Sequence, residues 1–117
     1  MNNCNCGVDR GGLKRGTTPP IYIDLPDALE WTDIAEMWVT VSQAGMIIIN
    51  KTLDDVETET IGDVTEHFVT LTQSETLKLD SYFDVEIQVR LRDNSGNACS
   101  SDVYRVSAGR ILKDGVI

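Results

Sequence analysis

Apolar and polar residues alternate without a break from Tyr82 to Arg92. The apolar positions of this segment are Phe83, Val85, Ile87, Val89 and Leu91. Successive side chains of a β-strand point to opposite faces of the sheet, so the pattern predicts a strand with one dry face and one solvated face. A helix would need apolar residues three and four positions apart. The chain must therefore build a sheet that is packed on one side.

Three earlier stretches also have the character of strands. Residues 21–25 alternate before Pro26 ends the run, and residues 37–43 and 46–52 flank a two-residue connection, as in a β-hairpin. The unbroken apolar run at 46–49 predicts that the second hairpin strand is covered on both faces. Residues 27–36 are open to two interpretations, a helical turn or a covering loop.

The second half of the chain adds further strands. The acidic stretch 56–61 predicts an edge strand, because charge at a sheet edge prevents unwanted pairing. Residues 66–72 follow as the next strand. After the turn-forming cluster 93–97, residues 98–108 are expected to return as one partner strand of the alternating segment.

One short helical turn is predicted between these strands. Thr72 and Glu75 have the spacing of a capping box, in which a hydroxyl and a carboxylate three residues apart satisfy each other's backbone N–H groups. The helical turn is expected over about 73–78, with Leu77 and Leu79 facing the core.

Together these patterns predict an all-β chain, an immunoglobulin-like β-sandwich of about seven strands with one short helical turn. The first nineteen residues are rich in Gly and Asn and have no apolar periodicity, which predicts an extended N-terminal arm. The expected division is an arm over 1–19 and a β-sandwich domain over 20–117. A length of 117 residues suits one domain.

Charge is distributed unevenly along the chain. Ten Lys and Arg against nineteen Asp and Glu give a net charge of −9; residues 1–19 carry three cations and one Asp (+2), which leaves −11 for residues 20–117. An acidic body repels phosphates, which argues against nucleic acid and an anionic membrane surface as partners. The arm cations Arg10, Lys14 and Arg15 are the candidate residues for docking on an acidic neighbouring protein.

The hydrophobic pattern predicts neither a membrane-spanning helix nor a secretory signal, because the longest apolar run is about four residues. The cysteines are Cys4, Cys6 and Cys99, an odd count that favours a reducing interior over a secreted disulfide framework. Structural zinc requires four Cys or His ligands in paired motifs, so no metal is expected. No glycine-rich phosphate loop occurs, and no other cofactor is expected.

No catalytic constellation is recognisable. His67 is in phase with Val69 and Leu71, which predicts a half-buried strand histidine, and a general base would need a nucleophile and an orienting group nearby. The acidic residues at 54–59 and the oxygen-rich turn at 93–97 lack the pattern of a calcium loop and are predicted to be a solvated edge and an ordinary turn. The sequence therefore predicts a protein that is not an enzyme.

Six segments together carry a resemblance to a known group of proteins: Gly16–Pro19, Val39–Gln43, Val69–Leu77, Val85–Arg90, Ala98–Asp102 and Ile111–Gly115. Over about residues 16–117 the chain resembles small virion proteins of tailed bacteriophages and prophages. Its layout is similar to that of the N-terminal β-sandwich domain of phage baseplate upper proteins. Residues 1–15, with two of the cysteines, depart from the pattern.

The resemblance implies a non-enzymatic virion component that docks onto a symmetric assembly, as a head decoration, a neck adaptor or a tail or baseplate adaptor. It implies capsid, neck or tail proteins as partners and leaves self-association open. It also implies synthesis in the bacterial cytoplasm and a final location in the virion.

Two other functions compete with this interpretation. A receptor- or glycan-binding module would use aromatic side chains at loop tips, for which Trp31 and Tyr82 are the candidates. An acidic host-directed inhibitor that mimics nucleic acid would use the carboxylates of the acidic body.

Overall fold

The computed structural model describes the backbone of residues 7–8 and the whole of residues 12–117. The described strands are β1 (Gly7–Val8), β2 (Leu13–Lys14), β3 (Pro20–Asp24), β4 (Ile34–Gln43), β5 (Met46–Thr52), β6 (Glu57–Ile61), β7 (Val64–Thr70), β8 (Val85–Asp93), β9 (Ala98–Ser100), β10 (Tyr104–Val106) and β11 (Ala108–Gly109). The helical turns are α1 (Gln73–Thr76) and two 3-10 turns, Trp31–Asp33 and Leu53–Asp55. The prediction of an all-β, sandwich-like fold with one short helical turn is confirmed.

Two antiparallel sheets supply the layers. One has the strand order β1-β3-β7-β6 and the other the order β10-β8-β4-β5, with β9 also paired to β8. Inward side chains from both sheets form one hydrophobic core, which includes Ile21 and Val69 from the first sheet and Val39 and Ile87 from the second. A small parallel pair of strands, β2 and β11, lies beside them.

The alternation that defines β8 is confirmed from Val85 to Leu91, where every second side chain is buried. Phe83 is the exception: 51% of its surface is exposed, so its predicted place in the core is wrong. The strand begins only at Val85, and the backbone N–H of Phe83 instead closes a turn by donating to the carbonyl of Asp80. The pattern therefore predicts correctly which residues of β8 are buried, but Phe83 precedes the strand and does not share its alternation.

The capping box at α1 is confirmed. The Thr72 side chain accepts a hydrogen bond from the Glu75 N–H at 3.1 Å, and the Glu75 carboxylate accepts one from the Thr72 N–H at 2.9 Å. The single helical turn covers 73–76, shorter than predicted. Leu79 is buried in the core, whereas Leu77 is half-buried.

The prediction that β5 is covered on both faces is wrong. This strand pairs only with β4 and forms an edge of its sheet, and Met46 and Ile47 are 68% and 63% exposed. A shift in the pairing register, opposite the step from Val41 to Ser42, leaves Ile48 as an extra residue in β5. Only Ile49 of the apolar run is buried.

The predicted single strand over 98–108 is divided in the structure. Strands β9 and β10 pair with successive parts of β8, and Ser101–Val103 interrupts the regular pairing. Ser101 is buried there; its N–H donates to the Val89 carbonyl at 2.8 Å and its Oγ accepts from the Val89 N–H at 2.9 Å. The serine hydroxyl thus replaces the backbone carbonyl that a partner strand would offer to the Val89 N–H of β8.

The N-terminal boundary of the folded domain differs from the predicted one at residue 19. Gly7–Val8 pairs with β3, and Leu13 is buried in the core. The Leu13 N–H donates to the Ser107 carbonyl and the Arg15 N–H to the Gly109 carbonyl. Residues 12–19 therefore lie on the sandwich. Local sequence gave no sign of this, because the stabilising partners are distant in sequence, from Leu71 to Gly109.

Candidate docking surfaces and groove

Strands β6 and β7 form a hairpin. The first residues of β7, 64–67, pair with β6 but have no pairing partner in β3. Pairing between β3 and β7 covers only Pro20–Tyr22 with Phe68–Thr70, whereas β6 and β7 pair from Glu57 with Phe68 to Ile61 with Val64. Every residue of β6 is exposed, which confirms the predicted acidic edge strand, and residues 64–66 of β7 are exposed as well. A two-stranded ribbon of this kind is marginally stable alone.

The two faces of this hairpin differ in chemistry. One face carries Glu57, Glu59 and Ile61 opposite Phe68, Glu66 and Val64. Glu59 and Glu66 are thus directly opposed like charges, an arrangement that destabilises a strand pair. Ile61 and Val64, at the turn, are 71% and 58% exposed. The other face carries His67 and three threonines, with the hydroxyls of Thr60 and Thr65 in contact at 3.0 Å.

A groove lies where the first sheet opens. Strands β3 and β7 separate after the pair Tyr22 and Phe68. If their pairing continued in the same register, residues 23–25 would lie opposite residues 67–65 of β7. The resulting open cavity has a volume of about 560 Å³. Its lining consists of residues 22–25, Trp31 and residues 65–67. Asp24 and Glu66 stand on opposite rims, and neither forms an ion pair with any residue in the described ranges.

Aromatic rings form the walls of this groove. Trp31 stacks on His67 with ring centroids 4.3 Å apart, and Tyr22 meets Phe68 at 5.5 Å in a tilted arrangement. His67 is half-buried as predicted, and burial lowers the pKa of its imidazole. Burial therefore favours the neutral ring, and the groove offers aromatic faces and carboxylates.

The outer face of the second sheet presents a third feature, centred on the exposed Trp38. The indole N–H donates to a Glu36 carboxylate oxygen at 2.8 Å, and the Arg92 guanidinium contacts the other oxygen at 3.2 Å. The hydrogen bond from Trp38 and then that from Arg92 lower the pKa of Glu36. This cluster is internally satisfied, and the cavity beside it is small, about 160 Å³.

Of the residues predicted to dock on a neighbour, Arg15 is engaged within its own domain. Its Nε donates to the Leu79 carbonyl at 2.7 Å, and its Nη2 donates to the Leu77 carbonyl at 3.0 Å and lies 3.4 Å from Asp114. Lys14 is exposed on β2. Arg10 lies outside the described residues. The structure therefore gives Arg15 a role within the domain, and docking through Arg10 and Lys14 stays a prediction.

The cysteines and oxygen clusters hold no visible metal site within the described ranges. No group of three or more His, Cys, Asp or Glu residues there could bind a metal ion. Cys99 is a free, half-buried thiol whose pKa is raised first by burial and then by Asp93. Asp55 and Asp93 use their carboxylates to accept backbone N–H groups of their own turns. Cys4 and Cys6 lie outside the described residues.

The groove is the feature that sequence reasoning missed. Trp31 and Tyr82 were the aromatic candidates for a glycan site, but Tyr82 is exposed and does not line the groove, and one ring face of Trp31 is covered by His67. No local pattern could have placed Trp31 against β7.

Comparison of the chain with protein-family models and with curated proteins finds no match in either. In the described ranges, no helix has the length and apolar character needed to cross a membrane.

Proposed function

We propose that this chain is a non-enzymatic structural component of a bacteriophage virion that acts by docking onto a symmetric assembly of other virion proteins. One observation carries the proposal: apolar side chains are exposed at the outer edges of both sheets. Met46 and Ile47 lie on the edge strand β5, and Ile61 and Val64 lie at the end of the β6–β7 hairpin.

Two apolar edges on different sheets suit a subunit with neighbours on more than one side. Apolar patches rimmed by polar residues are typical of protein interaction sites. β5 has no charged residue between Met46 and Asn50, and its one cation, Lys51, is held by Glu75 at 2.8 Å. Exposed strand edges accept added strands through their backbone groups. Many such contacts, each modest, hold a subunit firmly in a repetitive particle.

The phage assignment itself is tested on particles. Virions of the phage or induced prophage that encodes the chain are purified and analysed by mass spectrometry. We expect the chain in a fixed ratio to the major capsid or tail protein, through density-gradient and salt washes. A chain that is expressed but absent from washed particles would overturn the proposal.

The docking edges are tested with the same particles. Tagged protein is added to particles assembled without it, and the double variants Met46→Ser with Ile47→Ser and Ile61→Ser with Val64→Ser are compared. The matched control is Tyr82→Ser with Val103→Ser, which removes two other exposed hydrophobic side chains. We expect reduced co-sedimentation for at least one edge variant and normal co-sedimentation for the control.

A further inference from the structure

Among the described residues, the part of strand β7 from Val64 to His67 pairs with β6 alone. Its backbone hydrogen bonds to β6 use one edge, and β3 has already separated from the other edge after Tyr22. Backbone groups in a strand alternate in direction, so half of those in this segment point into the groove. As far as the described residues show, the groove therefore presents an unpaired strand edge at its wall.

The size of the groove suits a bound ligand. Its volume of about 560 Å³ lies within the range of binding pockets for ligands. A strand entering the groove would lie between β3 and β7 and restore the interrupted sheet. It would also meet Trp31 and Tyr22, whose rings line the cavity.

The charge of the rims selects the occupant. Asp24 of β3 and Glu66 of β7 both line the groove, and Glu59 is directly opposite Glu66 on the hairpin. Between residues 54 and 66 the chain has six acidic residues and no Lys or Arg. Within the described ranges, no salt bridge neutralises Asp24, Glu59 or Glu66. Lys or Arg side chains of an incoming strand would relieve this repulsion and gain cation–π contacts with the aromatic rings.

A second copy of this chain is a poorer occupant than a different protein. Each copy carries a net charge of −9, so two copies repel each other. Within the described ranges, four of the cations, including Arg15 and Lys51, are already held in ion pairs.

We propose that the groove between β3 and β7 binds a basic extended segment of another protein, which adds as a strand to the free edge of β7 at Val64–His67. This rests on the proposed function only in taking the segment to be part of a neighbouring virion subunit. The apolar pair Ile61 and Val64 would then pack against the surface from which the segment emerges.

The test uses a defined peptide probe, so that it is independent of particles. A peptide of alternating lysine and valine is titrated into the full-length protein at low salt, and backbone amide shifts are followed by NMR. We expect shifts concentrated at residues 22–25 and 64–67, with slowed hydrogen exchange in 64–67. The same peptide with N-methyl groups on alternate residues keeps its charge but cannot pair as a strand, and we expect it to lose most of the binding.

Matched variants separate the groove from general electrostatics. Asp24→Asn with Glu66→Gln should weaken peptide binding by at least about fivefold, since two exposed charge pairs are lost. Asp27→Asn with Asp84→Asn changes the net charge equally at exposed sites outside the groove and should leave binding nearly unchanged. Equal weakening by both double variants, equal binding of the N-methylated peptide, or shifts spread over the whole acidic surface would overturn the groove proposal. These outcomes leave the particle experiment, and so the proposed function, unaffected.

Discussion

The indole ring of Trp31 stacks on the imidazole of His67, with centroids 4.3 Å apart and planes inclined by 19°. The contact joins the 3-10 turn at Trp31–Asp33 to β7 at one wall of the groove. Because burial lowers the pKa of His67, the folded protein favours the neutral ring.

Stability should therefore decrease as the pH falls past the range in which His67 titrates. An unfolded histidine has a pKa near 6.5, so this contribution is fully present above that pH and is lost as the pH falls through the lower folded value. Urea unfolding at pH 7.5 and 5.5 should show a larger loss of unfolding free energy for the wild type than for His67→Phe, which keeps an aromatic ring. Identical losses in the two proteins would refute the assignment.

Arg15 should contribute to folding. Its side chain donates to the carbonyls of Leu77 and Leu79, and Arg15→Ala would leave both without these donors. We expect a loss of about 1–3 kcal/mol in unfolding free energy. Lys14→Ala, at an exposed neighbouring position, is the control and should change stability by less than about 0.5 kcal/mol. Thermal or urea unfolding of the two variants decides this.

Removal of residues 1–15 should destabilise the domain strongly, because it deletes the buried Leu13 as well as Arg15. Loss of a buried leucine alone costs about 2–5 kcal/mol. An arm that was only a docking extension would be removable with little effect on stability. A truncated protein that melts at the wild-type temperature would show that residues 12–15 are dispensable for the fold.

The core assignment of β8 is tested by adjacent substitutions. Ile87 is fully buried, so Ile87→Asp places an unpaired charge in the core and should cost several kcal/mol. Gln88→Asp changes the next residue, on the solvated face, and should cost only about 1 kcal/mol, through the lost hydrogen bond from Nε2 to the Ser101 carbonyl. Similar unfolding free energies for the two variants would contradict the alternation.

Ser101 should be sensitive to substitution despite its size. Ser101→Ala removes the Oγ that accepts the Val89 N–H and donates to the Asp102 carbonyl, which leaves a buried N–H unsatisfied. We expect a cost of about 1–3 kcal/mol. Ser95→Ala, in the exposed turn, serves as the control. The measurement is urea unfolding, and a cost no greater than that of Ser95→Ala would mean that a water replaces the hydroxyl.

Local patterns predicted those parts of the fold whose causes are local. The alternation at Val85–Leu91, the capping box at Thr72 and the acidic edge strand β6 each depend on neighbouring residues. The predicted burial of Met46 and Ile47 is wrong because an apolar run does not reveal whether its strand lies at the centre or the edge of a sheet. The interruption at Ser101, the hydrogen bonds of Arg15 and the groove arise from segments distant in sequence, where no periodicity records the contact.

The parallel pairing of β2 with β11 has a consequence for how the protein is made. Leu13 donates to the carbonyl of Ser107 and packs into the core beside Ala108. At the usual translation rate of about 5–20 residues per second, roughly 5–20 s pass between synthesis of Leu13 and synthesis of its partner. During that interval the N-terminal segment lacks the backbone acceptor of Leu13, the carbonyl of Ser107. The β2–β11 pair can form only after β11 has left the ribosome, so this contact is completed later than the pairing of the strands that precede β11.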